Sequence, residues 1–599
     1  MWLIVILAVS TLLTHVAATA PNIILYLTDD LGIGDIATPQ GKMLGHHEAT
    51  PTTHRTPHIN NLASEGIYFD RSYTGGNVCG PSRYQLLTGI PTGTKYSIVR
   101  GNTKPFRVKP ANEVLFPEVL KAAGYYTMGF GKFGFGHNIS PTKLDTPSAA
   151  GFDSFVGFRT HRDAHHRFPS YLCEDKNDGG GFKTTTSLTP RNHALRITNT
   201  RREDRYCNIY NAKKKTIRVK GTLASQLGED CDFVPDILHK KSLAMMRAKI
   251  KENKPFFNMF ASTIPHAGGR NDGGRACFNR DGPTCFPIPQ VTSPWDVSNM
   301  TDNIFLNARA SSIMNYLDVH VGETVDMLKE EGVWNNTIFI FTSDNGPSTA
   351  TLTHINSKGD NSLQLDTIDS NGRFDGMKRS LGEGGIRVPL LMSWPDKFVG
   401  GGIAYTPITL ADISTTLFDA VGLFDQGWTV PEPKQFSGMS FLPSLLNPNG
   451  TQDEQHRFII SELCVGARTK KHQNRNCDFV YFFGDNLQYK RYCSRIGSGR
   501  YPVTMNKKLW TLKRRTKGAR RRWVARDHNK CSMGKKGDGY FNIKYYTNEQ
   551  PVSRVKFTVD GNLYQEAKQL FVTQYKGNGA AVDYPWPNID LTTVPNLAQ

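Results

Sequence analysis

The segment P-N-I-I-L-Y-L-T-D-D, residues 21–30, is an apolar, β-favouring run that stops on two adjacent carboxylates. A run of that length and composition predicts a buried strand with acidic groups at its carboxyl end. A helix is predicted next, from Thr56 to Gly66, with Pro57 at its start, Ile59, Leu62 and Ala63 at helical spacing, and a glycine to stop it. The alternation continues. A helix over Phe116 to Ala123, stopped by Gly124, precedes a strand leading to Gly131 and Lys132, and P-F-F-N-M-F-A-S-T-I reads as a strand ending near His266. An amphipathic helix with Ile313, Leu317, Val321, Thr324 and Leu328 on one stripe stops at Gly332 and delivers the chain into T-I-F-I-F-T-S, which ends at Asp344 and Asn345. Strands alternating with helices predict an α/β fold with a largely parallel sheet, whose ligands gather at the carboxyl ends of the strands.

At 599 residues the chain exceeds one ordinary core, since cores stop growing near ~250–300 residues. Residues 155–235 are polar and read as a loop-like insertion. Past about residue 455 the pattern shifts to stretches such as F-V-Y-F-F and V-S-R-V-K-F-T-V. The expected division is a leader over 1–18, a main domain over 19–455 and a smaller β-rich domain over 456–599.

The leader combines a short apolar core with small residues and reads as a secretory signal peptide, with cleavage after Ala18. No later apolar run is long enough for a transmembrane anchor. Export through the secretory pathway fits ten cysteines, of which Cys277 and Cys285 are the pairing favoured on spacing. It also fits the N-x-S/T sequons at Asn138, Asn299, Asn335 and Asn449. The formal charge of +19 is concentrated in clusters over residues 507–536, a face that would concentrate anionic substrates. Nucleic acid is not expected as the partner, because no helix-turn-helix, zinc-finger or RNA-binding signature accompanies the run.

Asp29, Asp30, Asp344 and Asn345 are oxygen donors that two strand ends could bring together, a set that suits Ca²⁺ or Mg²⁺ better than zinc. Residues 79–89, C-G-P-S-R-Y-Q-L-L-T-G, place Cys79 at the start of a helix with Pro81 in its first turn and Gly89 beyond its end. A helix N-terminus offers free N–H groups to an anion, and Arg83, four residues on, shares the face of Cys79.

That stretch resembles the signature C-x-P-S-R-x-x-x-T-G of the type I sulfatases, in the alkaline phosphatase superfamily. The resemblance extends in order through Asp29–Asp30, Gly131–Lys132, Pro265–His266, Ser343–Gly346 and G-M-K-R-S-L-G-E-G-G-I-R-V-P, residues 376–389, which places Lys378 at the family's active-site lysine. It implies an alkaline-phosphatase-like sheet sandwiched by helices, with Ca²⁺ preferred over Mg²⁺ and Cys79 converted to formylglycine by a formylglycine-generating enzyme during export. It further implies Asp29, Asp30, residue 79, Asp344 and Asn345 as metal ligands. A hydroxyl of the hydrated aldehyde would attack sulfur, with Arg83, Lys132, His266 and Lys378 stabilising the sulfonyl oxygens or assisting the leaving group. The second hydroxyl would then expel sulfate, a step denied to serine.

Two segments depart from the family pattern. Gly134 in G-K-F-G-F-G occupies the place where many members carry a histidine; the A-H-x-x-x-P segment from Ala164 to Pro169 resembles one found in members that also lack it, which nominates His165, with His137 as competitor. Residues 456–599 lack the family's common Y-D-L-x-x-D-P-x-E-x-x-N-L segment. The expected substrate is a sulfated small molecule or glycan. Two alternatives stand beside hydrolysis of a sulfate ester: binding of sulfated glycans without turnover, and hydrolysis of a phosphate ester.

Overall fold

The computed structural model describes residues 20–36, 56–89, 114–133, 146–158, 164, 172–176, 181–185, 233–266, 304–347, 370, 377–378, 383–404, 406–430, 438–446, 458–465, 476–485, 488–496 and 590–597. Its strands are β1 (Asn22–Asp29), β2 (Ile67–Phe69), β3 (Ser72–Tyr73), β4 (Tyr126–Gly131), β5 (Ser154–Gly157), β6 (Leu172–Lys176), β7 (Gly181–Thr185), β8 (Phe256–Pro265), β9 (Thr337–Ser343), β10 (Leu390–Ser393), β11 (Gly402–Ala404), β12 (Ile408–Thr409), β13 (Phe458–Val465), β14 (Asn476–Asp485) and β15 (Gln488–Ile496). The helices that position the site are α1 (Pro57–Ser64), α2 (Cys79–Thr88), α3 (Phe116–Ala122), α4 (Val234–Lys251), α5 (Ile304–Glu330) and α6 (Leu410–Ala420).

Ten strands form the main sheet in the order β11-β2-β10-β9-β1-β8-β4-β5-β6-β7. From β9 to β5 the neighbours are parallel, and antiparallel strands flank this centre on both sides. The mixed, largely parallel sheet is the one the strand–helix alternation predicts. Because its centre is parallel, β1, β9, β8 and β4 all release their chains at one edge, and Asp29, Asp344, His266 and Lys132 lie at or just beyond those ends.

The central strands read as continuous apolar runs because both faces of the sheet are covered. On β1, Ile23, Leu25 and Leu27 face one core while Ile24 and Tyr26 face the other. The first core is completed by residues of α2, α3 and α6, among them Leu86, Leu120 and Leu417. The second is completed by α1, α4 and α5, including Leu62, Leu238 and Leu317. Helices on both faces make three layers.

One part of the sequence reading changes. The polar stretch 155–235 is not wholly loop: β5, β6 and β7 extend the sheet outward, β6 and β7 by antiparallel pairing. Their L-C-E-D-K and G-F-K-T-T sequences carry the charges that outer strands tolerate and apolar patterning overlooks. In the β-favouring region past residue 455, β13, β14 and β15 pair antiparallel in a separate sheet. Residues 1–18, the sequons at Asn138, Asn299 and Asn449, Cys277, Cys285 and the basic clusters at 507–536 lie outside the described residues. Asn335 is exposed. Among the described residues no helix is long and apolar enough to cross a membrane.

The α4–α5 contact carries two buried histidines, each held by a more exposed carboxylate. His239 and His320 stack with ring centroids 4.1 Å apart; His239 Nε2 lies 2.7 Å from Glu323 and His320 Nε2 lies 3.0 Å from Asp236. Each helix thus supplies one imidazole and the carboxylate for the other's. Burial pushes the His239 imidazole down to about 4, against the opposing pull of Glu323. The folded state holds His239 neutral where the unfolded chain, near 6.5, takes up a proton, so its stabilisation is complete above pH 6.5 and is lost as pH falls toward 4. The loss is on the order of 3 kcal/mol across that window. We expect the melting-temperature advantage of the wild type over His239→Gln to shrink steadily between pH 7 and 4.5; an advantage independent of pH would refute this account.

Candidate active site

The site begins with the end of β1. In an extended strand Asp29 and Asp30 would point to opposite faces. Asp30 instead adopts φ 66, a left-handed conformation that aspartate tolerates better than most residues, and the chain turns there. Its backbone N–H donates to Asp344 Oδ1 at 3.2 Å, and the Leu31 N–H donates to Ser343 Oγ at 3.0 Å. These contacts tie the ends of β1 and β9 together, so both acidic pairs share one floor.

Beside β1, β4 ends at Gly131 with φ 92, and a Cβ there would lie 2.1 Å from the Ala261 carbonyl oxygen. Only glycine permits this approach, which lets the Lys132 N–H donate to that same carbonyl at 2.9 Å. Lys132 is thereby held over the sheet edge, and its Nζ lies 2.6 Å from Asp29 Oδ2.

The wall opposite is α2. Its first residue is Cys79, preceded by extended Val78, which supplies no side-chain cap, and it ends on Gly89 at φ 63. Packing against α6 in the first core fixes its axis. Arg83, one turn after Cys79, is fully buried; its Nε donates to Asp344 Oδ2 at 2.8 Å and its Nη1 to the Lys132 carbonyl at 2.6 Å. The Cys79 thiol donates to Asp29 Oδ1 at 3.3 Å and accepts from Lys378 Nζ at 3.1 Å. Lys378 Nζ is also 2.5 Å from Asp30 Oδ1, which further accepts from Asn345 Nδ2 at 2.7 Å. His266 Nε2 lies 3.4 Å from Asp30 Oδ2.

The structure therefore brings together Asp29, Asp30, Cys79, Arg83, Lys132, His266, Asp344, Asn345 and Lys378, from stretches of chain far apart in the sequence. His165, His137 and Gly134 lie outside the described residues. Sequence reasoning assigned no role to Ser343, although it stands in the S-D-N-G motif, and passed over Asn77, two residues before Cys79. A polar residue between Gly75–Gly76 and the helix start was the signal for the latter.

Burial and charge set the protonation states. The Cys79 thiol is pushed up to about 12, first by burial and then by the charges of Asp29 and Asp344, so it is no thiolate at neutral pH. Burial also raises the Asp29 carboxyl, but Lys132, His266, Arg83 and Lys378 outweigh it and hold the group well below the usual carboxylate range. His266 is pushed down to about 4, chiefly by burial, and is neutral at pH 7.

The donor chemistry fits a hard cation. Ligating atoms of Asp29, Asp30, Cys79 and His266 lie within 4.8 Å of one another, while Asn345 Oδ1 and Asp30 Oδ2 are buried without a hydrogen-bond partner among the described residues. Asp344 stands apart from that group of four, with its oxygens engaged by Arg83 and the Asp30 N–H. Carboxylate and amide oxygens suit a magnesium- or calcium-like ion.

Comparison with known proteins points one way. A family model described as Sulfatase matches residues 21–423. N-acetylgalactosamine-6-sulfatase of Mus musculus is 25% identical over 452 residues, covering 74% of this chain and 70% of its own. Steryl-sulfatase of Rattus norvegicus is 25% identical over 461 residues, covering 74% and 72%. Among solved structures, the PsFucS1 sulfatase from Pseudoalteromonas sp. aligns with a TM-score of 0.50 and 21% identity over 79% of this chain and 83% of that one, a likeness of fold.

Replacing Arg83 by Met would leave Asp344 buried without its partner, which costs about 3–5 kcal/mol. We expect a markedly lower melting temperature for Arg83→Met and partial recovery in Arg83→Met/Asp344→Asn. Equal melting of the single variant and the wild type would show that the pair does not hold the floor together.

Proposed function

Because the chain belongs to the sulfatase family, we propose that this enzyme releases inorganic sulfate from a sulfate ester, with residue 79 as formylglycine and Ca²⁺ as the cation. The observation that carries the reading is the position of Cys79. Its thiol sits between Asp29 and Lys378 at 3.3 and 3.1 Å, yet is held protonated, so an unmodified sulfur there is a poor nucleophile. Conversion to the aldehyde removes that difficulty, because its hydrate offers an oxygen nucleophile at the same place.

Asp29, Asp30 and Asn345, joined by Asp344, would hold the cation, which when bound supplies Lewis-acid polarisation of that oxygen and of the sulfate. The remaining chemistry belongs to the chain's own side chains. Lys132 and Lys378 reach the pocket as ammonium donors, each already aligned by a carboxylate, so little reorganisation is needed when charge shifts to the sulfuryl oxygens. His266, neutral and 3.4 Å from Asp30 Oδ2, can take or hand on a proton at Nε2 near the leaving oxygen. Arg83 orients the floor through Asp344 and the Lys132 carbonyl.

The apolar leader and the sequons support export, with residence outside the cell or in lysosomes, and conversion of Cys79 by a formylglycine-generating enzyme on the way. The change in composition past residue 455 supports a smaller C-terminal domain from about 456. Its basic clusters favour a polyanionic sulfated glycan as substrate.

Mass analysis, turnover assays and a comparison of polymer with aryl substrates test these proposals. Mass analysis of the peptide containing residue 79 is expected to show the aldehyde, and Cys79→Ser to lose turnover of an aryl sulfate while keeping the fold; wild-type-like turnover by that variant, or faster release from the matched phosphate ester by the wild type, would defeat the mechanism. Neutralising the basic residues within 513–522 is expected to raise KM for a sulfated polymer severalfold and to leave an aryl sulfate unaffected. Equal effects on both substrates would remove the glycan assignment.

A further inference from the structure

Asn77 precedes Cys79 by two residues and is completely buried, yet among the described residues neither its Oδ1 nor its Nδ2 has a hydrogen-bond partner. A buried carboxamide with both ends unsatisfied is costly, and proteins rarely keep one without use. Its surroundings are tightly defined. The Thr74 hydroxyl donates to the Gly76 carbonyl at 2.5 Å and the Thr74 N–H donates to the Ile386 carbonyl at 2.8 Å. A Cβ on Gly76 would lie 2.6 Å from Pro81 and 3.2 Å from the Ser82 nitrogen, so this arch rests directly on the first turn of α2.

One extended residue, Val78 at φ −146 and ψ 152, separates Asn77 from Cys79, so the buried Asn77 amide lies next to the N-terminal turn of α2. The thiol in turn faces Asp29 and Lys378.

The site's other donors explain what an amide there can add. Lys132 Nζ, Lys378 Nζ and Arg83 Nε are each paired with a carboxylate. An anion entering the pocket must share those donors with Asp29, Asp30 and Asp344, or find donors not already engaged. Arg83 Nη2 is one such buried, unpartnered donor, and Asn77 Nδ2 is another. A neutral amide also adds a hydrogen bond without changing the charge balance.

We propose that Asn77 is a substrate-binding residue of this site, its Nδ2 donating to an oxygen of the sulfate group bound beside residue 79. The inference rests on the sulfate-ester reading above and deepens it. It makes Asn77 a determinant of sulfate affinity, distinct from the charged residues that hold the floor.

Asn77→Leu tests it best, because leucine is close in size and removes the unsatisfied amide. A purely structural Asn77 would tolerate that change, keeping activity with equal or higher stability. The proposal instead expects a melting temperature no lower than wild type, normal conversion of Cys79 by mass, at least a tenfold loss of kcat/KM for an aryl sulfate, and a parallel rise in the inhibition constant of inorganic sulfate. Retention of wild-type kcat/KM and sulfate inhibition overturns it. Should the leucine variant not fold, the same two constants are measured for Asn77→Ala, where weakened turnover and weakened sulfate inhibition support the proposal and wild-type values overturn it. Should the wild type itself release no sulfate, the sulfate-ester reading fails separately; the thermal shift induced by inorganic sulfate in wild type against Asn77→Leu then decides, an equal shift in both sinking the role of Asn77 and a smaller shift in the variant sustaining it.

Discussion

Asp29, Asp30 and Asp344 are kept out of water together with Arg83, Lys132 and Lys378, and no member of this set is tolerable without the others. Asp29, Asp344, Arg83 and Lys132 have no exposed surface, and each carboxylate has a cationic partner within 2.8 Å. Desolvating one such charge alone costs several kcal/mol. The pairs come from distant stretches: Lys132 to Asp29 joins β4 to β1, Arg83 to Asp344 joins α2 to β9, and Lys378 to Asp30 joins a late loop to the first strand. The network that lines the candidate site is therefore also the fastening of the sheet edge, so a change at any member alters stability as well as the site.

The parallel centre of the sheet makes that network possible. Four strands deliver their carboxyl ends to one edge, and two local deviations then aim the side chains: the left-handed Asp30, which turns the second carboxylate inward, and Gly131, which lets β4 press against the Ala261 carbonyl. Each deviation is held by hydrogen bonds to a neighbouring strand. The site is rigid because it sits on the ends of packed strands and on a helix locked by α6, with cores on both faces beneath it.

Much of this was legible in the chain itself. The runs that became β1, β8 and β9 are predominantly apolar because they are buried on both faces, and their acidic or basic stops mark where the sheet meets the pocket. Glycines at 124 and 332 ended helices as expected, each at positive φ. The outer strands β5 to β7 were not legible, since β5 is only four residues long and the charged β6 and β7 lack an apolar period and take their structure from pairing. Asp344 was legible as an acidic group at a strand end, but its engagement by Arg83 spans 261 residues of chain, a distance over which periodicity carries no information. Asn77 was missed for a related reason: its significance lies in what it does not bond to, which only packing reveals.

Charge balance gives the final link between structure and chemistry. Three carboxylates against Arg83, Lys132 and Lys378, with His266 neutral, leave the pocket near zero net charge. A sulfate ester brings one negative charge into a site that burial makes hostile to uncompensated ions. A divalent cation on the carboxylate and amide oxygens would reverse that balance and leave the pocket net positive for the ester. Cation and anion binding at this site would then reinforce each other.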